Sequence, residues 1–404
     1  MSEKILLQVL ILGLAVLITS CVVVGGLSHE EDLELERQLK VKFINTPAIK
    51  TIKTEYGDVY DCVDFYKQPA FDHPLLKNHD FHFDMKPNKV NRRVETEEES
   101  KRSRNRKGIK SAELKGVGCP RGTVPIRRTT KEDLIREKNF TEMYDSVLHP
   151  QTESEPGLHF AGGRVRPEWM RMPLGGGDAW FSLYQTPFVN KLQWSSGLIK
   201  VSNGSDYIKA GWTVNPTLYG DDRCRLFAFL HTREQRCFNV KCPGFVLINQ
   251  DIPLGYAFPD VSQTGVLTIE NRFYIFRDQV NGNWWLNLGK DDTDIGFWPS
   301  HIFTDLKSTA DDIFWGGELF SLPAFQSSPM GSGLKIEGDS PELHAYARQL
   351  SVVDDAKQQV FPITVDDEIV SDIGWDYVRH YQFNPDKHWG RTIMFGGPGA
   401  VFGE

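Results

Sequence analysis

The amino-acid sequence predicts a mainly β fold, in which a small mixed α+β segment precedes a large domain of short strands. The 404 residues include 35 glycines, 22 prolines and 10 tryptophans, which favour turns and strands over a helical bundle. Beyond about residue 156, short apolar or alternating runs are separated by turn residues, as in a β-sandwich or barrel. A chain of this length suits two or three folding units.

The first 26 residues predict entry into the secretory pathway. Lys4 precedes an apolar run over residues 5–18, and small residues follow over 19–26, which is the order of a cleavable signal peptide. A single-pass anchor is the less favoured alternative, because the stretch over 5–24 nearly reaches the ~20 residues that span a bilayer. After cleavage we expect a secreted protein without a membrane segment.

The N-terminal segment, residues 27–150, is expected to contain both helix and strand. Residues 30–39 are charged and helix-prone, and residues 49–84 form a mixed stretch with two aromatic-proline patches. The polar tract over 86–115 carries runs of both charge signs and predicts a flexible, solvated loop. A second helix is expected over Lys131–Lys138.

The β structure predicted for the domain over residues 156–404 rests on a series of short apolar or alternating runs. No internal repeat is visible, and there are few helical periods. The runs predicted as strands are Ile208 to Val214, Leu226 to Leu230, Phe245 to Ile248, Val266 to Phe276, Trp284 to Leu288 and Ile295 to Trp298.

Five cysteines remain once the signal peptide is removed. In an oxidising compartment the C-x4-C spacing of Cys237 and Cys242 suits a disulfide across a tight turn, and Cys62 is expected to pair with Cys119. Cys224 is then left as a buried thiol. The spacings are not those of a zinc ribbon and no H-E-x-x-H occurs, so neither a metal nor another cofactor is expected.

Two further features bear on compartment and partners. Sequons at Asn139 and Asn203 predict N-glycosylation if they are exposed in the secretory lumen. The net charge of −8 gives no global support for nucleic-acid binding.

Several longer motifs resemble the plant neprosin family. The blocks from Asp61 to Pro74 and from Cys119 to Arg128 resemble its activation peptide. In the second half the resemblance rests on Ala210 to Pro216, Tyr219 to Asp221, Cys237 to Phe245, Asn281 to Trp285, Gly296 to Ser300, Gly316 to Glu318 and Gly396 to Pro398. The resemblance implies an antiparallel β-sandwich preceded by an inhibitory pro-segment that is removed in acid.

The resemblance also implies a chemistry. Neprosin-like enzymes are glutamic peptidases that cut after proline, using two glutamates that face each other across a cleft. The Gly-Gly-Glu motif places one at Glu318. The other is expected immediately before the Ala-Gly-Trp motif, where this chain has Lys209 instead.

A lysine at this position changes what the site can do. Two close carboxyls hydrolyse a peptide by sharing a proton, because their repulsion splits their pKa values. The cation of Lys209 would hold Glu318 ionised as a salt bridge, so the shared proton is lost. Losing one positioned acid–base group typically costs ~10²–10⁴-fold in rate.

The alternation of the strand says where Lys209 points. Ile208, Ala210, Trp212 and Val214 share one face, and Lys209 lies on the other. If the apolar set faces the core, Lys209 points into the cleft or to solvent, and the family position favours the cleft.

Three tryptophans are also candidates for the substrate cleft: Trp212, Trp285 and Trp298. In a β domain such residues are more often part of the core than a ligand platform.

Three functions follow for the chain as a whole. The leading hypothesis is a secreted neprosin-like protein whose peptidase activity is lost or altered by Lys209, located in the apoplast, with the vacuole as a second destination. The second is a non-enzymatic binding module for cell-wall polysaccharide or a proline-rich protein. The third is an active acid peptidase that uses Glu318 and another carboxylate. In the first and third, the partners are peptides and the chain's own pro-segment, which acts as an intramolecular inhibitor.

Overall fold

The computed structural model describes residues 28–45, 47–88, 114, 117–147, 157–187, 189–321, 326–363, 368–374, 377–384 and 388–399. The predicted signal peptide and nearly all of the charged tract lie outside these residues. The chain divides into a unit that ends at Asn45 and a unit that begins at Thr46. Within the described residues, no helix has both the length and the apolar character to cross a membrane.

The first unit contains helix α1 (His29–Asn45). Ser28 caps this helix: its Oγ accepts a hydrogen bond from the Glu31 N–H at 3.2 Å, and the Glu31 carboxylate accepts one from the Ser28 N–H at 2.9 Å. This reciprocal capping box satisfies two backbone donors that have no partner within the helix. The predicted helix over 30–39 is therefore present and longer than expected.

The second unit begins with a small antiparallel sheet in the order β1 (Ala48–Lys53), β2 (Val59–Asp64) and β3 (Thr123–Arg127). Three short 3-10 helices follow β2, at Phe65–Lys67, Pro69–Asp72 and Pro74–Leu76. Helix α2 (Lys131–Val147) follows β3, so the predicted second helix is present and extends nine residues past Lys138. The α+β character expected for this segment is confirmed.

The rest of the second unit consists mainly of two antiparallel sheets. Their strands are β4 (Leu158–Val165), β5 (Leu174–Ser182), β6 (Trp194–Asn203), β7 (Asp206–Val214), β8 (Cys224–His231), β9 (Arg236–Phe238), β10 (Val246–Leu247), β11 (Glu270–Arg277), β12 (Trp284–Leu288), β13 (Thr293–Trp298), β14 (Asp312–Phe320), β15 (Ala345–Asp354), β16 (Gln359–Pro362), β17 (Glu368–Ser371), β18 (Val378–Asn384) and β19 (Gly390–Phe395).

The seven-stranded sheet has the order β17-β4-β14-β6-β7-β8-β9, and the nine-stranded sheet has the order β10-β13-β12-β11-β5-β15-β19-β18, with β16 paired to β15. One-turn helices lie at Pro167–Met170 and Pro216–Tyr219, and 3-10 helices at Ser300–Ile302 and Pro341–Leu343. The mainly β, antiparallel fold is the one expected from the sequence.

One strand boundary was wrong. The predicted run from Val266 to Phe276 begins as a turn, because the Val266 N–H donates to the Gln263 carbonyl at 2.9 Å and Gly265 has a φ of +70°. Val266 is 81% exposed, and the strand starts only at Glu270. Apolar side chains at a turn cannot be told from strand residues by hydrophobicity alone.

Candidate active site

The site lies on the outer face of the seven-stranded sheet, the face turned away from the core of the sandwich. On β7, Ile208, Ala210, Trp212 and Val214 are fully buried in the core, as the alternation predicted. Lys209 therefore points to the outer face. Glu318 lies on the same face of the sheet, because its neighbour Leu319 on β14 belongs to the core.

Lys209 and Glu318 form a buried ion pair. The Lys209 Nζ donates to Glu318 Oε2 at 2.5 Å. Lys209 is 3% exposed and Glu318 is 8% exposed. Taking two charges out of water is costly unless they are paired, and the direct contact meets that requirement. The structure thus brings together the two residues that the motifs singled out 109 positions apart.

The two side chains meet diagonally rather than face to face. The register pairs Lys209 with Lys200 on β6, and it pairs Glu318 with Ser196 on the same strand. The row between them contains Gly211, which is paired with Leu198 of β6. A Cβ on Gly211 would lie 2.1 Å from the Gly197 carbonyl oxygen, so the backbone itself demands glycine here.

Aromatic rings surround the ammonium group. The Lys209 Nζ lies 4.9 Å from the centre of the Tyr207 ring and 5.2 Å from that of Phe229. These cation–π contacts add to the attraction of Glu318 at a buried position. A second lysine contacts the same tyrosine: the Lys200 Nζ lies 4.2 Å from the centre of the Tyr207 ring.

The outer face carries aromatic residues that sequence reasoning missed. They are Trp194, Tyr207, Phe227, Phe229, Phe238, Phe314 and Phe320. Trp194 and Phe238 lie on strands three apart in the sheet, yet their ring centres are 6.1 Å apart, so the sheet curls around this face. The signal was available in β6, where Trp194, Ser196, Leu198 and Lys200 alternate with the core residues Ile199 and Val201.

The three tryptophans that were candidates for the cleft all belong to the core, which is the more usual place for them in a β domain. Trp212, Trp285 and Trp298 are each 0% exposed and pack in the main core cluster. For Trp212 the reason is its even spacing from Ile208 and Val214, which places all three on the core face of β7. These residues stabilise the sandwich and do not line the outer face.

The N-terminal segment is bound to the sandwich by a buried ion pair. Arg225 of β8 is 1% exposed and donates to Asp58 at 2.7 Å. It also donates to Asp221, and Arg127 of β3 donates to the other oxygen of Asp58 at 3.0 Å. Burial opposes the charge of Arg225, but the neighbouring carboxylates prevail and raise the pKa of its guanidinium.

A second contact uses an amide. The Gln68 side chain is 1% exposed, accepts from the Leu247 N–H at 2.8 Å and donates to the Leu247 carbonyl at 3.1 Å. The amide thus pairs with both backbone groups of one residue, as a neighbouring strand would, and holds the segment against β10. Further along the same segment, the ring of Phe81 meets that of Phe297 edge-on at 5.0 Å.

The cysteines are arranged as the spacing suggested. The structure contains the Cys62–Cys119 and Cys237–Cys242 disulfides. Cys224 is a buried free thiol, and burial raises its pKa well above the ordinary value. A thiol in this state is a poor nucleophile, so its position indicates packing rather than chemistry.

The two sequons differ in their surroundings. Asn139 is an exposed residue of α2. Asn203 ends β6, where its side-chain nitrogen donates to the Thr309 carbonyl at 2.7 Å. Glycosylation of both remains a prediction. In the described part of the chain, no group of three or more His, Cys, Asp or Glu side chains is placed to bind a metal ion.

Comparison with known families gives two matches. The family model described as Neprosin matches residues 191–398, which include both Lys209 and Glu318. The model described as Neprosin activation peptide matches residues 51–162, which include the segment bound through Asp58 and Gln68.

Proposed function

Because this chain belongs to the neprosin family, we propose that it is a secreted member whose peptidase activity is lost or strongly altered. The observation that carries the proposal is the buried contact of 2.5 Å between Lys209 and Glu318. A glutamic peptidase needs a second carboxyl at this place, and the chain has an ammonium group. The predicted signal peptide and the two sequons support secretion, with the apoplast as the destination and the vacuole as the alternative.

The geometry of the ion pair supports this proposed loss of catalysis. Glu318 can activate a water only if one of its oxygens is free to accept the water's proton while the water faces the substrate carbonyl. In the ion pair, one oxygen is in direct contact with the Lys209 Nζ, and the pair is almost fully buried. The ammonium could stabilise an oxyanion, but it does not replace the second carboxyl that would share a proton with Glu318.

No other carboxylate of β14 can take the place of the second glutamate. Asp312 also lies on the outer face of this strand, but it is six residues from Glu318, or about 20 Å along an extended strand. It lies 3.8 Å from the guanidinium groups of both Arg164 and Arg166. Within β14, Glu318 is therefore left without a second acid.

The activation-peptide segment fits the role of an intramolecular inhibitor. Its contacts through Asp58 and Gln68 are buried, and they hold it against the sandwich. Helix α2 of the same segment places the Phe140 ring 5.5 Å from that of Phe320, which lies two residues from Glu318 on β14. Helix α2 therefore covers part of the outer face next to the pair.

An activity assay tests the proposal. The full-length protein is exposed to acid and then given a peptide that contains proline. We expect no robust cleavage after proline. Robust cleavage that disappears in Glu318→Gln would overturn the proposal, because Glu318 would then be working despite its lysine partner.

A second candidate function is the non-enzymatic binding of cell-wall polysaccharide or a proline-rich protein. The aromatic lining of the outer face favours it, since both sugar rings and proline rings pack on aromatic side chains. A binding screen with Trp194→Ala would test this candidate, because Trp194 lies on that face while the core tryptophans do not. Binding that survives this substitution would contradict it.

The pro-segment also carries a pH-dependent contact. The Nδ1 of His73 accepts a hydrogen bond from the Leu75 N–H at 3.2 Å, which requires that nitrogen to be unprotonated. His73 is buried, and burial lowers its pKa from the ordinary 6.5, an effect that the negative charge of Glu234 partly opposes.

We therefore expect acid to weaken the folding of this segment. Above about pH 6.5 the neutral imidazole is favoured in both states, so its stabilising contribution is complete. As the pH falls through 6.5, the unfolded chain binds a proton that the folded chain does not, and the free energy of unfolding decreases.

Limited proteolysis of the pro-segment between pH 8 and pH 5 measures this effect. His73→Asn keeps a side-chain acceptor at the start of the 3-10 helix but removes the titration. We expect a shallower pH dependence in this variant than in the wild type. Equal slopes would show that His73 does not contribute.

A further inference from the structure

A cluster of aromatic rings lies beside the Lys209–Glu318 pair. Trp194 and Phe320 are paired across β6 and β14, and their rings are stacked with centres 4.2 Å apart and planes 10° apart. The Phe140 ring from α2 lies on this stack, 5.5 Å from Phe320 and 5.8 Å from Trp194. The helix thus contributes one ring to a group that the sandwich itself builds.

The cluster is one strand repeat from the ion pair. Phe320 follows Glu318 by two residues on the same face of β14, which corresponds to about 7 Å. From Trp194 the ring lining continues through Phe238, 6.1 Å away, to Phe229, whose ring lies 4.7 Å from that of Phe238. Phe229 in turn contacts the ammonium group of Lys209. The cluster and the pair therefore form one continuous surface.

Trp194 supplies an unused polar group at the same place. Its indole Nε1 is buried and has no hydrogen-bond partner among the described residues. An indole N–H can only donate, and a buried donor without an acceptor is unfavourable. A ligand that brings a carbonyl group together with a ring would satisfy this donor and also replace Phe140.

We propose that Trp194 and Phe320 form a side-chain subsite that selects an aromatic residue of a peptide ligand, and that Phe140 occupies it in the intact chain. This inference rests on the proposed role of the outer face as a peptide-binding cleft. The edge-on and stacked geometry distinguishes an aromatic ring from an aliphatic side chain of similar volume. Such ring pairs contribute ~0.5–1.5 kcal/mol beyond their buried area, which is about a two- to tenfold preference.

The test uses the full-length chain with Phe140→Ala, which vacates the space of one ring. The probes are N-acetylphenylalaninamide and N-acetylleucinamide, and binding is measured by titration calorimetry. We expect the phenylalanine probe to bind this variant two- to tenfold more tightly than the leucine probe, and to bind the wild type much more weakly. Adding Trp194→Leu to Phe140→Ala should abolish the preference.

The matched control is Leu134→Ala. Leu134 is a buried apolar residue of the same helix, so its truncation weakens α2 without emptying the ring cluster. If the two probes bind Phe140→Ala equally, the cavity is apolar but does not distinguish an aromatic from an aliphatic side chain, and the proposal is overturned. Equal gains of binding in Leu134→Ala would overturn it as well. Neither result affects the proposal on Lys209 and Glu318, which depends on cleavage in acid.

Discussion

Replacing Lys209 by glutamate is expected to create an acid peptidase that cuts after proline. The variant Lys209→Glu restores two carboxyls on the outer face, and their repulsion favours a state in which they share one proton. One group can then activate water while the other donates a proton. We expect the rate to rise ~10²–10⁴-fold above that of the wild type, which is the usual contribution of one positioned acid–base group.

The measurement is the release of products from a proline-containing peptide after acid exposure. Lys209→Gln is the control, because it removes the cation without adding a carboxyl and should stay inactive. Lys209→Glu/Glu318→Gln should lose the new activity. If a folded Lys209→Glu protein does not cleave the peptide, positions 209 and 318 are not the two catalytic positions.

The second large effect concerns stability. Lys209→Met removes the cation from Glu318, which is 8% exposed, and leaves a buried carboxylate without its partner. Breaking a buried ion pair in this way typically costs ~3–5 kcal/mol. We expect a loss of this size in the free energy of unfolding, measured by urea denaturation at pH 7.

Two comparisons separate this effect from lost packing. Lys209→Met/Glu318→Leu removes both charges and should recover most of the loss, since apolar replacements of buried ion pairs are often neutral or better. In Lys209→Met alone, acid should reduce the defect, because protonation of Glu318 removes the buried charge. A loss below about 1 kcal/mol at pH 7 would mean that the pair does not contribute to the fold.

Sequence patterns of short range were reliable. The strands over residues 208–214, 226–230, 284–288 and 295–298 were all found close to their predicted bounds. The direction of Lys209 also followed from alternation along β7. In each case one property of the chain, its period of two, decides the outcome locally.

Larger-scale features were harder to predict. The sequence left Trp212, Trp285 and Trp298 as candidates for the cleft while favouring the core, and the structure has all three in the core. The rings that do line the outer face include Trp194 and Phe320, which belong to strands that had not been predicted. Hydrophobicity identifies a tryptophan as apolar but does not say which of two apolar faces it joins.

The sequence by itself determined the family resemblance, the β character and the presence of a lysine where a glutamate was expected. Only the tertiary structure decided what that lysine does. Its contact with Glu318 depends on the order of β14, β6 and β7 in one sheet and on their register. The physical reason is that an ion pair between residues 109 positions apart is a property of strand pairing and curvature, which no local pattern encodes.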